Sequence, residues 1–341
     1  VAGRFAPRPT RTTVRGGEVA VPPAGPAGVP EQATRPVTGL RRSWALPWPL
    51  DLGLVLGPLR RGPGDPTFRT TPDGSVWRTG RTPLGPGTLR VAVRGGAAEA
   101  EAWGPGAPWL LEKLPEMLGS LDDPEAFAPR HRLLATVRHR RPGLRLTRTG
   151  LVLESLIPSV LEQKVTTDEA YRAWRLLVRK FGDEAPGPAA GRMWVVPEPR
   201  TWALIPSWEW HRAGVDDKRA STILRAVRLA ARLEQTVGMP PAQARARLEV
   251  VPGIGPWTSA ETVQRSHGAA DEVTVGDLHL PGIVGFALAG DRHADDAVML
   301  SLLEPYAEQG QRHRAARLVL LSGRVPPRRA PRMRRGDIGR L

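Results

Sequence analysis

The chain has 341 residues, is 40% hydrophobic, and carries a formal net charge of +15 with a sequence pI near 11.4. No apolar run approaches the roughly 20 residues of a membrane span, and the absence of cysteine excludes disulfides, thiolate zinc sites, cysteine nucleophiles and Cys-ligated iron–sulfur clusters. Positive charge on this scale attracts polyanions over long range, which makes nucleic acid the first partner class to consider. A genome biased toward Arg, Ala, Gly and Pro gives the same surplus without that meaning.

Residues 1–43 are rich in Pro, Gly, Thr and Arg without periodicity and read as a disordered basic arm. The arm has no apolar h-region, so no signal peptide is expected. Arg41-Arg42 do not make a twin-arginine signal, because Pro47, Pro49 and Asp51 interrupt the apolar stretch after them. Residues 44–140 read as an N-terminal α/β domain. Asp73-Gly74 marks a turn, and Leu89, Val91 and Val93 alternate with Arg90 and Ala92 as in a half-buried strand. Helices are expected over 109–119 and 124–140.

From 141 to 323 the pattern is helical throughout. Leu153, Leu156, Ile157, Val160, Leu161 and Val165 recur at three- and four-residue spacing. Further helices are expected near 168–181, 217–235, 241–249, 256–267, 281–289, 292–307 and 311–322. The tail, 324–341, holds seven arginines and one aspartate and reads as a solvated basic segment able to touch phosphates. The fold class is therefore α+β: a small antiparallel-sheet domain followed by an all-α domain.

Within the helical part, Val251-Pro-Gly-Ile-Gly-Pro256 lies between two predicted helices. Gly253 and Gly255 suit a very short reversal, and Pro256 suits the first helical position. The second helix then directs unpaired N–H groups and its positive end outward, toward an anion such as a DNA phosphate. A plain turn between helices explains the same residues without a ligand. Asp277 lies further on, in Val273-Thr-Val-Gly-Asp-Leu-His279, at the end of a loop before a helix that Pro281 opens.

The order helix, Pro-Gly-Ile-Gly hairpin, helix, loop, Gly-Asp, helix resembles the helix-hairpin-helix DNA glycosylases, most of all bacterial 3-methyladenine DNA glycosylase II and its actinobacterial-type relatives. Arg141-Pro-Gly-Leu-Arg-Leu146, Leu161-Glu-Gln-Lys-Val165 and Val215-Asp-Asp-Lys-Arg-Ala220 resemble family segments as well. The resemblance covers about 140–305 strongly and 44–140 weakly.

The resemblance implies base excision: a damaged nucleotide is extruded from duplex DNA and its N-glycosidic bond hydrolysed. It implies Asp277 as the catalytic carboxylate and Pro252, Gly253, Ile254, Gly255 and Pro256 as the phosphate-binding hairpin. Trp257 stands where bifunctional relatives carry a Schiff-base lysine, so the expected enzyme is monofunctional and leaves an abasic site. Trp257, Glu261 and Leu278 fall at base-pocket positions, and Gln163 and Lys164 where the family inserts a wedge into the minor groove. Glu261 and Leu278 replace aromatic residues of the alkyladenine enzyme, and the last helix has no aromatic where the family places a stacking tryptophan. Trp194, Trp202, Trp208 and Trp210 are candidates to replace that stacking.

No cofactor is required, and the histidines show no metal-ligand spacing. A monovalent cation at the hairpin carbonyls is compatible with the family pattern. The expected partner is double-stranded DNA containing damaged bases, the expected state a monomer, and the expected location the cytoplasm, at the nucleoid. A non-catalytic helix-hairpin-helix protein that binds damaged or distorted DNA is the alternative.

Overall fold

The computed structural model describes residues 39–327. Five strands, β1 (Leu40–Ala45), β2 (Phe68–Thr70), β3 (Val76–Thr82), β4 (Gly85–Arg94) and β5 (Ala97–Trp103), form one antiparallel sheet in the order β1-β5-β4-β3-β2. The alternation in β4 buries Leu89 and Val91 on one face, opposite Ala102 and Ala100 of β5. The inward residues of β5 are alanines, which leave room for helix α2 (Ala107–Met117) to bury Leu110, Leu111 and Leu114 against them. The short helix α1 (Leu52–Leu56) precedes β2 and is capped by Asp51, whose side chain accepts from the Leu54 amide.

Two expectations for this half are corrected. Leu40–Ser43, placed in the arm by composition, are the first part of β1, paired with β5. The rest of the expected arm lies outside the described residues, as do the residues of the tail beyond 327. The segment 124–140 is helical only as α3 (Arg132–Arg140). Leu134 and Val137 of α3 join the apolar cluster of the C-terminal helices rather than that of the sheet.

The remaining helices come in chain order. They are α4 (Leu153–Leu161), α5 (Thr167–Phe181), α6 (Pro199–Leu204), α7 (Ser207–Arg212), α8 (Asp217–Arg228), α9 (Ala230–Glu234), α10 (Pro241–Glu249), α11 (Pro256–Ser266), α12 (Leu280–Ala289), α13 (Asp296–Leu303) and α14 (Arg312–Leu321). Strands β6 (Asp183–Glu184) and β7 (Trp194–Val195) form a small ribbon among them, so this half is not all-α. The Pro- and Gly-rich stretch between them, Ala185 to Met193, cannot continue a helix. The ribbon instead leans on the first half, where the Trp194 amide donates to the Pro66 carbonyl and the Thr79 hydroxyl to the Trp194 carbonyl.

Helix α4 is the buried centre, with every residue but Glu154 sequestered, and α11 and α8 pack against it. One apolar cluster gathers around α4; the other joins α3, α12, α13 and α14. No helix among the described residues is long and apolar enough to cross a membrane.

Candidate active site

The hairpin lies between α10 and α11, and its two glycines have different reasons to be there. Gly253 has φ +97°, and a Cβ on it would stand 2.0 Å from the Thr222 hydroxyl of α8, so only glycine fits. Gly255 has an ordinary negative φ and open space where a Cβ would go. Ile254 is buried and anchors the turn, while Pro252, Gly253 and Pro256 are exposed. Among the described residues no acceptor satisfies the amides of Gly255, Trp257 and Thr258, the orphan donors of a helix start.

The hairpin carbonyls are in use. Val251 accepts from the Ile254 amide, Pro252 from Arg225 and Gly253 from the Gln163 side chain. Gln163 also donates to the Thr258 hydroxyl at 2.8 Å. Both donors of its amide are therefore spent in tying the end of α4 to the hairpin, and it is not a free minor-groove donor. Lys164 beside it lies beyond α4, on an exposed turn, with φ +55°. It is the one non-glycine residue with positive φ among the described residues.

Asp277 sits just before α12. Its Oδ1 accepts the amides of His279 and Leu280, both at 2.8 Å, and its Oδ2 accepts the indole N–H of Trp257 at 3.0 Å. Burial pushes its pKa up, but the Trp257 indole, the two amides and the His279 ring more than reverse this. The net shift is downward, so the carboxylate is ionised at neutral pH. The preceding Gly276 has φ +81°, and its amide donates to Asp296 of α13 at 2.9 Å. Asp296 thereby holds the loop that carries Asp277, a role that its sequence position at a helix start did not announce.

A cavity of about 270 Å³ opens beside Asp277. That is slightly below the roughly 300–1,000 Å³ of sites for drug-sized ligands and is of a size for a single base. Its walls come from α1 and the turn after it (Val55, Pro58), the loop after α3 (Arg145 to Thr147), α11 (Glu261, Gln264, Arg265), the start of α12, and α14 (His313, Ala316, Arg317, Leu320). Glu261 does line it, as the sequence suggested. Trp257 and Leu278 do not: Trp257 stands against Asp277, and Leu278 is 84% exposed. Among the described residues no tryptophan, tyrosine or phenylalanine lines the cavity.

The tryptophans proposed as substitutes are elsewhere. Trp202 and Trp210 stack on each other in the core, Trp194 lies under Arg179, and Trp208 faces solvent. Other carboxylates of this region have structural partners: Asp271 pairs with Arg312, Glu272 with Arg245, and Asp295 caps α13. Among the described residues no three His, Asp or Glu side chains are grouped as metal ligands.

The cavity's charged groups are unevenly partnered. Glu261 is fully occupied, its Oε2 by Arg265 at 2.7 Å and its Oε1 by the Thr274 hydroxyl at 2.9 Å. Arg317 donates from Nη2 to the Leu54 carbonyl, but its buried Nε has no acceptor among the described residues. Burial, then Arg265 and Arg314, lower its pKa to about 10, against an opposing pull from Glu261. Burial and the neighbouring Arg317, Arg265 and Arg314 hold the pKa of His313 well below the ordinary histidine value, so its ring is neutral.

The fold is shared with solved DNA glycosylases. The 3-methyladenine DNA glycosylase of Archaeoglobus fulgidus superposes with a TM-score of 0.66 at 18% identity, over 83% of this chain and 98% of that one. The Clostridium acetobutylicum 8-oxoguanine glycosylase/lyase, solved with double-stranded DNA containing cytosine opposite 8-oxoguanine, gives a TM-score of 0.63 at 12% identity, over 81% and 92%. No protein-family model matches the sequence, and no curated protein is significantly similar to it.

Proposed function

We propose that this chain is a monofunctional DNA N-glycosylase of base excision repair. It grips the backbone of damaged duplex DNA at the hairpin, receives an extruded base in the cavity, and hydrolyses the N-glycosidic bond to leave an abasic site. The observation that carries the proposal is the ionised, triply hydrogen-bonded Asp277 at the edge of a base-sized cavity. Helix α11 links that cavity to the grip. It starts at the hairpin and presents Glu261 and Arg265 to the cavity five to nine residues on, roughly 8–14 Å along its axis.

The chemistry asks for little else. Asp277 stabilises positive charge that develops on the sugar as the bond breaks, and it orients or deprotonates the attacking water. Trp257 supplies no amine, and none of the chain's four lysines (Lys113, Lys164, Lys180, Lys218) lines the cavity. A Schiff base, and with it lyase cleavage, has no donor there. In this reading Lys164 is the wedge that occupies the gap left by the base, its methylenes in the stack and its ammonium near a phosphate. A monovalent cation at the hairpin would use the second lone pairs of the Val251, Pro252 and Gly253 carbonyls. The base that the sequence resemblance implies is an alkylated purine.

The test is base release from a mixed-lesion duplex, read by mass spectrometry, with Asp277→Asn beside wild type. The variant is expected to lose roughly 10²–10⁴-fold in rate while still binding DNA, and borohydride is expected to trap no covalent adduct with either protein. Binding without release by wild type, on every lesion, points instead to a non-catalytic lesion binder, which the lack of aromatic lining also suits. Release by Asp277→Asn at the wild-type rate removes the catalytic assignment.

A further inference from the structure

Leu278 is 84% exposed, more than any other large apolar side chain among the described residues. A single exposed leucine needs no explanation on a protein surface; what sets this one apart is its neighbour. Asp277 accepts the amides of His279 and Leu280 through Oδ1 and the Trp257 indole through Oδ2. Gly276, before it, is held by Asp296, and α12 begins two residues after Leu278. The carboxylate is thus drawn over the peptide units that follow it, and Leu278 stands at the apex of the tight turn that results. Its side chain joins neither the cavity nor the apolar clusters.

We propose that Leu278 is a DNA-contacting residue, seated against the nucleotide next to the extruded one on the damaged strand. The inference rests on the glycosylase reading and follows from chain geometry. A carboxylate that acts on C1′ must approach it to about 3–3.5 Å, and consecutive Cα atoms are about 3.8 Å apart. The Cα of Leu278 therefore lies within roughly 10 Å of the reacting carbon. Successive nucleotides of a strand rise by about 3.4 Å, so this reach takes in those that flank the lesion. The extruded base turns into the cavity, which Leu278 does not line; what remains for Leu278 is the strand itself.

Extrusion uncovers apolar surface, because the flanking base loses a stacking partner. A leucine that passes from water onto that surface gains free energy on opened DNA and none on closed duplex, where the bases stay stacked. Apolar side chains lodged against unstacked bases act in this way. The pinned turn helps, since a segment already held in place loses little freedom on docking. Leu278 is separate from Lys164, which follows α4 and the hairpin-bound Gln163, whereas Leu278 rides on the loop of Asp277. Having no charge, Leu278 favours opened over closed DNA without adding to the salt dependence of binding.

The experiment measures binding to a duplex with one tetrahydrofuran abasic analogue, which cannot be cleaved, and to the matched undamaged duplex. A 2-aminopurine placed on either side of the analogue, in separate duplexes, reports unstacking of each neighbour. Because its side chain is exposed, Leu278→Ala should unfold at the same denaturant concentration as wild type. Its Kd for the analogue duplex should rise roughly tenfold, the order expected when most of a buried leucine side chain is lost. Its Kd for undamaged duplex and the salt slope should not change, and the fluorescence rise at one flanking position should be largely lost. Leu278→Met should restore both signals. Leu204→Ala, which trims a leucine 71% exposed on α6, should alter neither. An unchanged Kd for the analogue duplex in Leu278→Ala, or an equal loss on undamaged duplex, overturns the assignment, and base release by wild type then leaves the glycosylase reading intact. The expected binding pattern without base release from any lesion removes the glycosylase reading and retains Leu278 as the contact.

Discussion

The indole N–H of Trp257 donates to Oδ2 of Asp277 at 3.0 Å, while the amides of His279 and Leu280, at the entry to α12, hold Oδ1. One helix, α11, thus supplies both the unpaired amides at the hairpin and the group that fixes the carboxylate. Trp257→Phe keeps the ring's bulk but removes the donor, and with it one of the interactions that depress the Asp277 pKa. A carboxylate with a depressed pKa is active above that pKa and loses activity as pH falls through it. The variant's acid limb in log(kcat/KM) against pH should therefore move to higher pH. An unmoved acid limb would show that Asp277 is not the group titrating, or that the bond is not made in solution.

The hairpin glycines separate a folding role from a binding role. A methyl group at Gly253 meets the Thr222 hydroxyl and demands a left-handed backbone, so Gly253→Ala should cost about 1–3 kcal/mol of stability by chemical denaturation. A Cβ on Gly255 meets nothing within 4 Å, so Gly255→Val should cost about 1 kcal/mol or less of unfolding free energy, the loss of a favoured N-cap glycine. Its side chain stands where a phosphate would approach. Affinity for undamaged and damaged duplex should fall alike, and the slope of log K against log salt should lessen by about one for each phosphate that the variant no longer engages. A weakening confined to one lesion would mean that the hairpin does not read the backbone.

These two sites also show what the sequence could and could not carry. The hairpin is legible because Pro and Gly punctuate it locally: the expected helix at 241–249 is α10 residue for residue, and α11 differs from expectation by one. Asp277 stands out only through the family resemblance, because a Gly-Asp pair before a proline-opened helix also describes an ordinary helix-start acid. The cavity is not legible, because its walls are assembled over long range. Pro58 accepts from Arg265, and Leu54 from Arg317, 263 residues away. Nothing in the run Gln311 to Leu320 marks His313 and Arg317 as inward-facing, since basic residues at that spacing also describe a solvated helix face. Gln163 departs from expectation for a related reason: its partners, Gly253 and Thr258, lie 90 and 95 residues on.

Lys164 holds a left-handed backbone that costs a side-chain-bearing residue about 1–2 kcal/mol. No hydrogen bond or ion pair holds its exposed side chain among the described residues. Lys164→Gly should relieve the backbone, offset in part by glycine's greater chain entropy, and raise stability by about 0.5 kcal/mol. If the side chain fills the gap left by the extruded base, the same variant should excise more slowly under single-turnover conditions. Lys164→Met, which keeps the apolar stem, should excise faster than the glycine variant. Equal rates for wild type, Met and Gly variants would leave the wedge without support.

Glu234 gives the fold a pH dependence of opposite sign to that of Asp277. Its carboxylate accepts the amides of Val152 and Leu153, both at 2.8 Å, at the start of the buried helix α4. Burial raises its pKa to about 6 from 4.5, the two amides pull it down, and Glu154 adds to the rise. The folded state therefore binds this proton more tightly than the unfolded chain. Its stabilising contribution is complete below the unfolded value and is lost as pH rises through about 6. The difference in pKa corresponds to about 2 kcal/mol between pH 4 and pH 7. Glu234→Gln removes the titration, so unfolding free energies of wild type relative to this variant should fall by about that amount across the interval. A difference that is flat or rises with pH would show that Glu234 stays ionised in the folded protein, its burial outweighed by the two amides.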